Sequence, residues 1–254
     1  MGKIIAVTNQ KGGVGKTTTA INLSACMAEA GQKVLAVDFD PQGNTTSGLG
    51  LKAGGKSIYE ALVGQAELKA CIVSTRVKGL DLLPADIRLA GAEVELVNLD
   101  NREYRLKNAL HTVVAKYDFI FIDCPPSLGL LTVNALAAAN RVLVPIQCEY
   151  YALEGVTSLM NTISRINRTI NPALDIEGIL LTMLDGRTNL GLQVVDQVKR
   201  RFRNKVYSVT IPRNVRLGEA PSHGLPIHLY DSRSAGAEAY RALTKEVLER
   251  NGVR

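Results

Sequence analysis

No run of about 18 apolar residues occurs in this 254-residue chain, so no membrane-crossing helix is expected. Met1-Gly2-Lys3 leads straight into an apolar stretch, which argues against a cleavable leader and for a cytoplasmic protein. Cysteine is scarce and unpaired in sequence. Cys26, Cys71, Cys124 and Cys148 form no C-x-x-C motif and sit in apolar or strand-edge surroundings, which favours reduced, structural thiols. His111, His223 and His228 share no metal-ligand spacing and are read as structural or surface residues. The length suits one large α/β domain burying roughly three quarters of its unfolded surface.

Charge is abundant but unevenly placed. Residues 1–183 hold 17 Lys+Arg and 17 Asp+Glu, whereas residues 184–254 hold 13 and 7. The whole net charge of +6 therefore lies in the C-terminal part. A nucleic-acid surface would profit from that asymmetry, and a solvated basic helix face would also produce it.

The stretch Asn9-Gln10-Lys11-Gly12-Gly13-Val14-Gly15-Lys16-Thr17-Thr18 lies between an apolar, β-branched run (3–8) and a segment of helical spacing (19–30). It reads as a phosphate cradle. Glycines let backbone N–H groups turn inward, and the helix N-terminus adds partial positive charge. Lys16 would reach the β- and γ-phosphates, and the Thr17 hydroxyl would hold Mg²⁺. The usual G-x-x-x-x-G-K-[ST] pattern is imperfect here, because Gln10 stands where its first glycine belongs and a second lysine, Lys11, follows. A dinucleotide loop is the rival, with Asp38 as the ribose acid. It fails because G-x-G-x-x-G begun at Gly13 meets Thr18.

Further buried strands are expected at 33–38, 80–84, 118–123, 141–146, 176–183 and 206–211. Helices are expected at 57–62, 67–73, 89–99, 102–117, 128–139, 147–170, 190–203 and 233–250, and an exposed loop at 45–56. The order is a single-domain, doubly wound α/β plan with a mostly parallel sheet. Asp40, after the second strand, is placed to orient an attacking water or to bind Mg²⁺ through one. Asp123 closes a strand facing the loop, as a Walker B carboxylate does. Pro212, Arg213 and Asn214 follow a strand end where an adenine ring could lie, and Lys199, Arg200 and Arg203 can fan out from a basic helix.

Over nearly the whole chain, KGGVGKTT, DPQGNTTSGLG, IDCPPSLGLLT, QCEYYALEG, LTMLDGRTNLG and IPRNVRLGEAPSHGLPI resemble chromosomal ParA proteins of the Soj type. These belong to the ParA/MinD superfamily with its deviant Walker A motif. The resemblance implies a Mg²⁺-dependent ATPase whose ATP-bound sandwich dimer binds double-stranded DNA without sequence preference on the nucleoid. A ParB-type protein would stimulate hydrolysis and release. Residue by residue, it implies that Lys11 reaches the partner's nucleotide, that Gly12, Gly13, Val14, Gly15 and Thr18 join the cradle, and that Glu154 touches the interface or ribose. Arg187 and Arg216 fall where such proteins carry DNA-binding arginines. A MinD-like membrane ATPase is the runner-up, but the tail from Thr244 to Arg254 has few large apolar residues and mixed charge. A non-catalytic DNA-coating protein and a small-molecule kinase or ligase with the same loop are further rivals. An iron–sulfur dimer of the nitrogenase iron-protein kind is not expected, since Cys124 directly follows Asp123 and does not match that ligand pattern.

Overall fold

The computed structural model describes residues 2–52, 54–149 and 152–253, and the side chains of 152–155 lie outside that description. Eight strands form one sheet: β1 (Lys3–Val7), β2 (Val34–Asp38), β3 (Val73–Ser74), β4 (Leu80–Leu83), β5 (Phe119–Asp123), β6 (Arg141–Gln147), β7 (Asp175–Leu184) and β8 (Val206–Pro212). Their spatial order is β3-β4-β2-β5-β1-β6-β7-β8, and all pairs are parallel except β3 with β4.

The helices are α1 (Lys16–Glu29), α2 (Asn44–Gly48), α3 (Ile58–Val63), α4 (Leu89–Glu95), α5 (Arg105–His111), α6 (Leu130–Ala138), α7 (Ala152–Thr169), α8 (Asn189–Phe202), α9 (Val215–Glu219), α10 (Ile227–Tyr230) and α11 (Ala235–Arg250). The strands are apolar on both faces because both faces are covered. On β1, Ile4 and Ala6 join the core shared with α3 to α8, while Ile5 and Val7 join the core under α1 and α11. Chain order reverses at β1, flanked by β5 and β6. Such a switch point opens a crevice at the carboxyl ends of the strands, where ligands gather.

The helix expected at 147–170 begins only at Ala152, because Gln147 still pairs in β6, and three other segments differ from the sequence expectation. The stretch 45–56 is not simply an exposed loop, because its start is the short helix α2 with Thr45, Thr46 and Leu49 buried. Beyond α2, Gly50 is seated against Gly224, where a Cβ would lie 2.5 Å from the Gly50 Cα. The stretch 67–73 forms only a 3₁₀ turn at Leu68–Cys71 before edge strand β3, since Val73 is drawn into pairing with Leu82. The stretch 102–117 is one α-helix between two 3₁₀ turns, broken where β-branched Thr112, Val113 and Val114 follow one another. Ser57 does cap α3, in a reciprocal capping box with Glu60.

Candidate nucleotide site

The loop between β1 and α1 takes its shape from two left-handed residues, Gly13 (φ 74°) and Gly15 (φ 87°), a region costly for any residue with a Cβ. No side chain caps α1, so its first N–H groups remain available to an anion. They face a cavity of about 380 Å³ whose lining includes Gly13, Lys16, Thr17, Thr18, Asp40 and Pro126. Lys16 is buried, and its ammonium donates to the Lys11 carbonyl oxygen at 3.1 Å. Burial lowers its pKa, against the opposing pull of Asp123, Cys124 and Asp40.

Asp38 and Asp123 end neighbouring strands in the same register. Both are fully enclosed. Burial and then mutual repulsion push Asp123 up to about 7, and burial raises Asp38 to about 6. Their partners differ. Asp38 Oδ2 accepts both the N–H and the hydroxyl of Thr46 at 2.7 Å, and its Oδ1 accepts the Asp40 N–H at 3.3 Å. That saturation makes Asp38 a brace for α2 and the Asp40 turn, and leaves it nothing for a ribose. Asp123 Oδ2 accepts the Thr45 hydroxyl at 2.8 Å, and the nearby Thr17 hydroxyl also favours its ionised form. Asp123 Oδ1 is buried with no hydrogen-bond partner of its own.

These groups fit a divalent cation that arrives with a polyphosphate. Among the described residues no cluster of three or more His, Cys, Asp or Glu is placed to hold a metal. Mg²⁺ would therefore be held by the Thr17 hydroxyl and, through water, by Asp40 and Asp123, and would supply positive charge to the polyphosphate. Asp40 lines the cavity, and its Oδ1 accepts the Gln42 N–H at 3.0 Å.

A second, mostly apolar cavity of about 360 Å³ shares Gly15, Thr18 and Met183 with the first, and Pro212, Arg213 and Asn214 wall its far side. The expected base-binding segment is thus brought beside the cradle. Sequence reasoning missed Met183, a non-glycine residue at φ 53° between the two cavities, and Tyr240, which reaches the pocket from α11 and shares a hydrogen bond with Thr19. It also missed Thr182, whose hydroxyl donates to the Val14 carbonyl oxygen at 2.9 Å. No local motif marks any of the three.

Lys11, next to the cavity-lining Gly12, pairs with Glu149 at 3.2 Å, while Glu154 falls in α7 with its side chain outside the description. The basic candidates divide into two groups. Arg187 follows β7 and Arg216 follows β8, whose ends are tied by Arg213 N–H to the Leu184 carbonyl oxygen. Arg187 is held by Asp185 in two hydrogen bonds of 2.9 and 2.8 Å. Arg216 pairs with Glu219 at 2.9 Å and Asp231 at 3.5 Å. Lys199, Arg200 and Arg203 are exposed and make no ion pair among the described residues, but they lie near the far end of α8. That helix, 14 residues long, carries them roughly 20 Å away, toward the amino ends of the parallel strands β7 and β8 that it connects.

A glycine cradle at the switch point, a buried lysine within it, strand-end carboxylates behind it and an apolar cavity beside it define a P-loop nucleotide-binding protein. A family model described as an AAA domain matches residues 2–176. The chain is 61% identical to the sporulation initiation inhibitor protein Soj of Bacillus subtilis (strain 168), over 97% of this chain and 98% of that protein. It is 55% identical to the chromosome-partitioning ATPase Soj of Treponema pallidum (strain Nichols), over the full length of both. Among solved structures, cobyrinic acid a,c-diamide synthase from Mycobacterium smegmatis with bound ADP and magnesium matches with a TM-score of 0.88 at 41% identity, covering 99% of this chain and 96% of that one. The chain belongs to the Soj/ParA family of chromosome-partitioning ATPases.

Proposed function

We propose that this chain is a MgATP-hydrolysing DNA-partitioning switch whose ATP-bound form is a sandwich dimer. The observation that carries this reading is the pair of joined cavities, one lined by Lys16, Thr17 and Asp40 and the other walled by Pro212, Arg213 and Asn214. Lys16 and the loop N–H groups would hold the β- and γ-phosphates, Thr17 and Asp123 would position the hydrated Mg²⁺, and Asp40 would orient the attacking water. Bound MgATP supplies the phosphoryl group and the charge that these residues neutralise. Lys11 would leave Glu149 and reach the neighbour's nucleotide.

In the dimer, Arg187 and Arg216 of both subunits would contact DNA phosphates, giving sequence-independent, salt-sensitive binding. Lys199, Arg200 and Arg203 are weaker candidates because they lie at the other end of α8 from Arg187. A ParB-type centromere-binding protein would stimulate turnover, and the working location would be the nucleoid in the cytoplasm. Against a MinD-like membrane cycle stands the helix α11, which buries Ala237, Tyr240, Leu243 and Val247 in the fold and so does not offer them to a lipid surface.

Size-exclusion chromatography with ADP, with ATP, and with ATP plus duplex DNA tests the dimer, and phosphate release with DNA and a ParB-type protein tests the switch. An ATP-independent monomer would overturn the reading. The synthase name of the similar solved structure favours a second reading, an amide-forming ligase. That reading requires turnover driven by a small carboxylate substrate and indifferent to DNA.

A further inference from the structure

The helix α4 is apolar on two sides. Leu89, Ala92 and Leu96 face the core with no exposure, as one face of a surface helix should. The opposite side carries a second stripe. Ile87, Ala90, Val94 and Val97 recur at helical spacing along the turns from Asp86 to Asn98 and are all exposed, with Ile87 at 68% and Val94 at 75%. The stripe continues toward exposed Leu128, because Glu93 of α4 accepts the Leu131 N–H and abuts Gly129. A helix apolar all round belongs in an interior, and a concentrated exposed apolar patch marks a contact site.

The charge around the stripe selects the occupant. Residues 86–103 hold five Asp+Glu and two Lys+Arg in a chain of net charge +6. Both cations are already taken, Arg88 by Asp86 and Glu60 and Arg102 by Glu103. Glu93, Glu95 and Asp100 make no ion pair among the described residues. Nucleic acid is repelled by such a rim. A second copy docking the same face by two-fold symmetry would set acid against acid.

We propose that the outer face of α4 is a docking surface for a helical segment of another protein, apolar along one stripe and lysine- or arginine-rich along its flanks. The apolar stripe supplies affinity, and the acidic rim sets polarity and attracts the cationic flanks. Ile87, Ala90, Val94 and Val97 line neither nucleotide cavity, and the stripe comes nearest to one at Leu128, two residues beyond Pro126.

The test uses the full chain and two fluorescein-labelled amphipathic peptides of about 18 residues, with the same leucine stripe and either lysine or glutamate flanks. Fluorescence anisotropy should show saturable binding of the lysine peptide and none of the glutamate peptide. Replacing both Ile87→Gln and Val94→Gln should weaken binding at least about tenfold, since two exposed side chains lose their burial. Replacing Glu95→Gln and Asp100→Asn should weaken it several-fold and flatten its salt dependence. An unchanged thermal midpoint in each variant would establish an intact fold. The proposal is overturned if the lysine peptide does not bind, if the glutamate peptide binds equally, or if the Ile87/Val94 variant binds like the parent. Nucleotide-free self-association that this variant abolishes would also overturn it, assigning the face to a second copy.

Discussion

Replacing Asp123 by asparagine should make the nucleotide-free protein more stable, and by an amount that depends on pH. Asp123 is 1% exposed. Burial first, and the Asp38 carboxylate second, move it from an ordinary 3.8 up to about 7. The unfolded chain releases this proton near its ordinary value, whereas the folded protein keeps it until about neutral pH. Between those values the unfolded state binds fewer protons, so stability falls as pH rises, and above about 7 the loss is complete. A shift of about three units at about 1.4 kcal/mol each sets an upper bound of about 4 kcal/mol. The shift already includes the attraction of Lys16, and relaxation around the ionised carboxylate lowers the expected net gain to about 2–3 kcal/mol. Asparagine keeps the shape and can still accept the Thr45 hydroxyl. Thermal unfolding without nucleotide or Mg²⁺ should show the variant melting roughly 5–10 °C higher at about pH 8, with the gap more than halved at about pH 5. Excess MgADP should reverse the order by stabilising the parent more. A variant no more stable than the parent at about pH 8, or a gap equal at both pH values, would refute the reasoning.

Lys16→Ala should weaken ATP binding at least about a hundredfold by calorimetry, since it removes the charge-assisted contact to the phosphates; parental affinity would dismiss the cradle. Asp40→Ala should retain nucleotide binding while phosphate release falls about 10²–10⁴-fold. Gly12→Val should fold and bind ATP, because a Cβ there meets nothing within 4 Å in its own chain, yet light scattering should find only monomer, the clash lying across the dimer. Lys11→Ala should cut hydrolysis about 10³-fold or more, and dimerisation with hydrolysis at the parental rate would remove its cross-subunit role. Arg187→Ala or Arg216→Ala should weaken ATP-dependent binding to all duplexes alike and lower the salt slope by about one per lost phosphate contact per subunit, with dimerisation intact.

The nucleotide loop was legible in the sequence because everything it needs lies within one contiguous segment. The glycines that permit left-handed backbone, the lysine and the threonine sit at fixed local offsets between a strand and a helix. The positions of Asp40, two residues beyond β2, and of Asp123, which closes β5, were legible for a related reason, because the carboxyl ends of buried parallel strands face the crevice. Local pattern also located the strands, and it failed where pairing overrode it, as at Val73, which went to an edge strand.

Only the tertiary structure decided how the polar groups are shared. Thr45 and Thr46 looked like loop residues, but their hydroxyls are committed to Asp123 and Asp38. That turns Asp38 into a brace and leaves Asp123 an open oxygen. Glu149 meets Lys11 across 138 positions, and Tyr240 meets Thr19 across 221. Lys199, Arg200 and Arg203 share a charge excess with Arg187 yet lie at the other end of α8. Composition records only that charges and hydroxyls exist. Strand order, register and helix direction determine which of them become neighbours, and the distance and burial so created set each pKa and each vacant hydrogen bond.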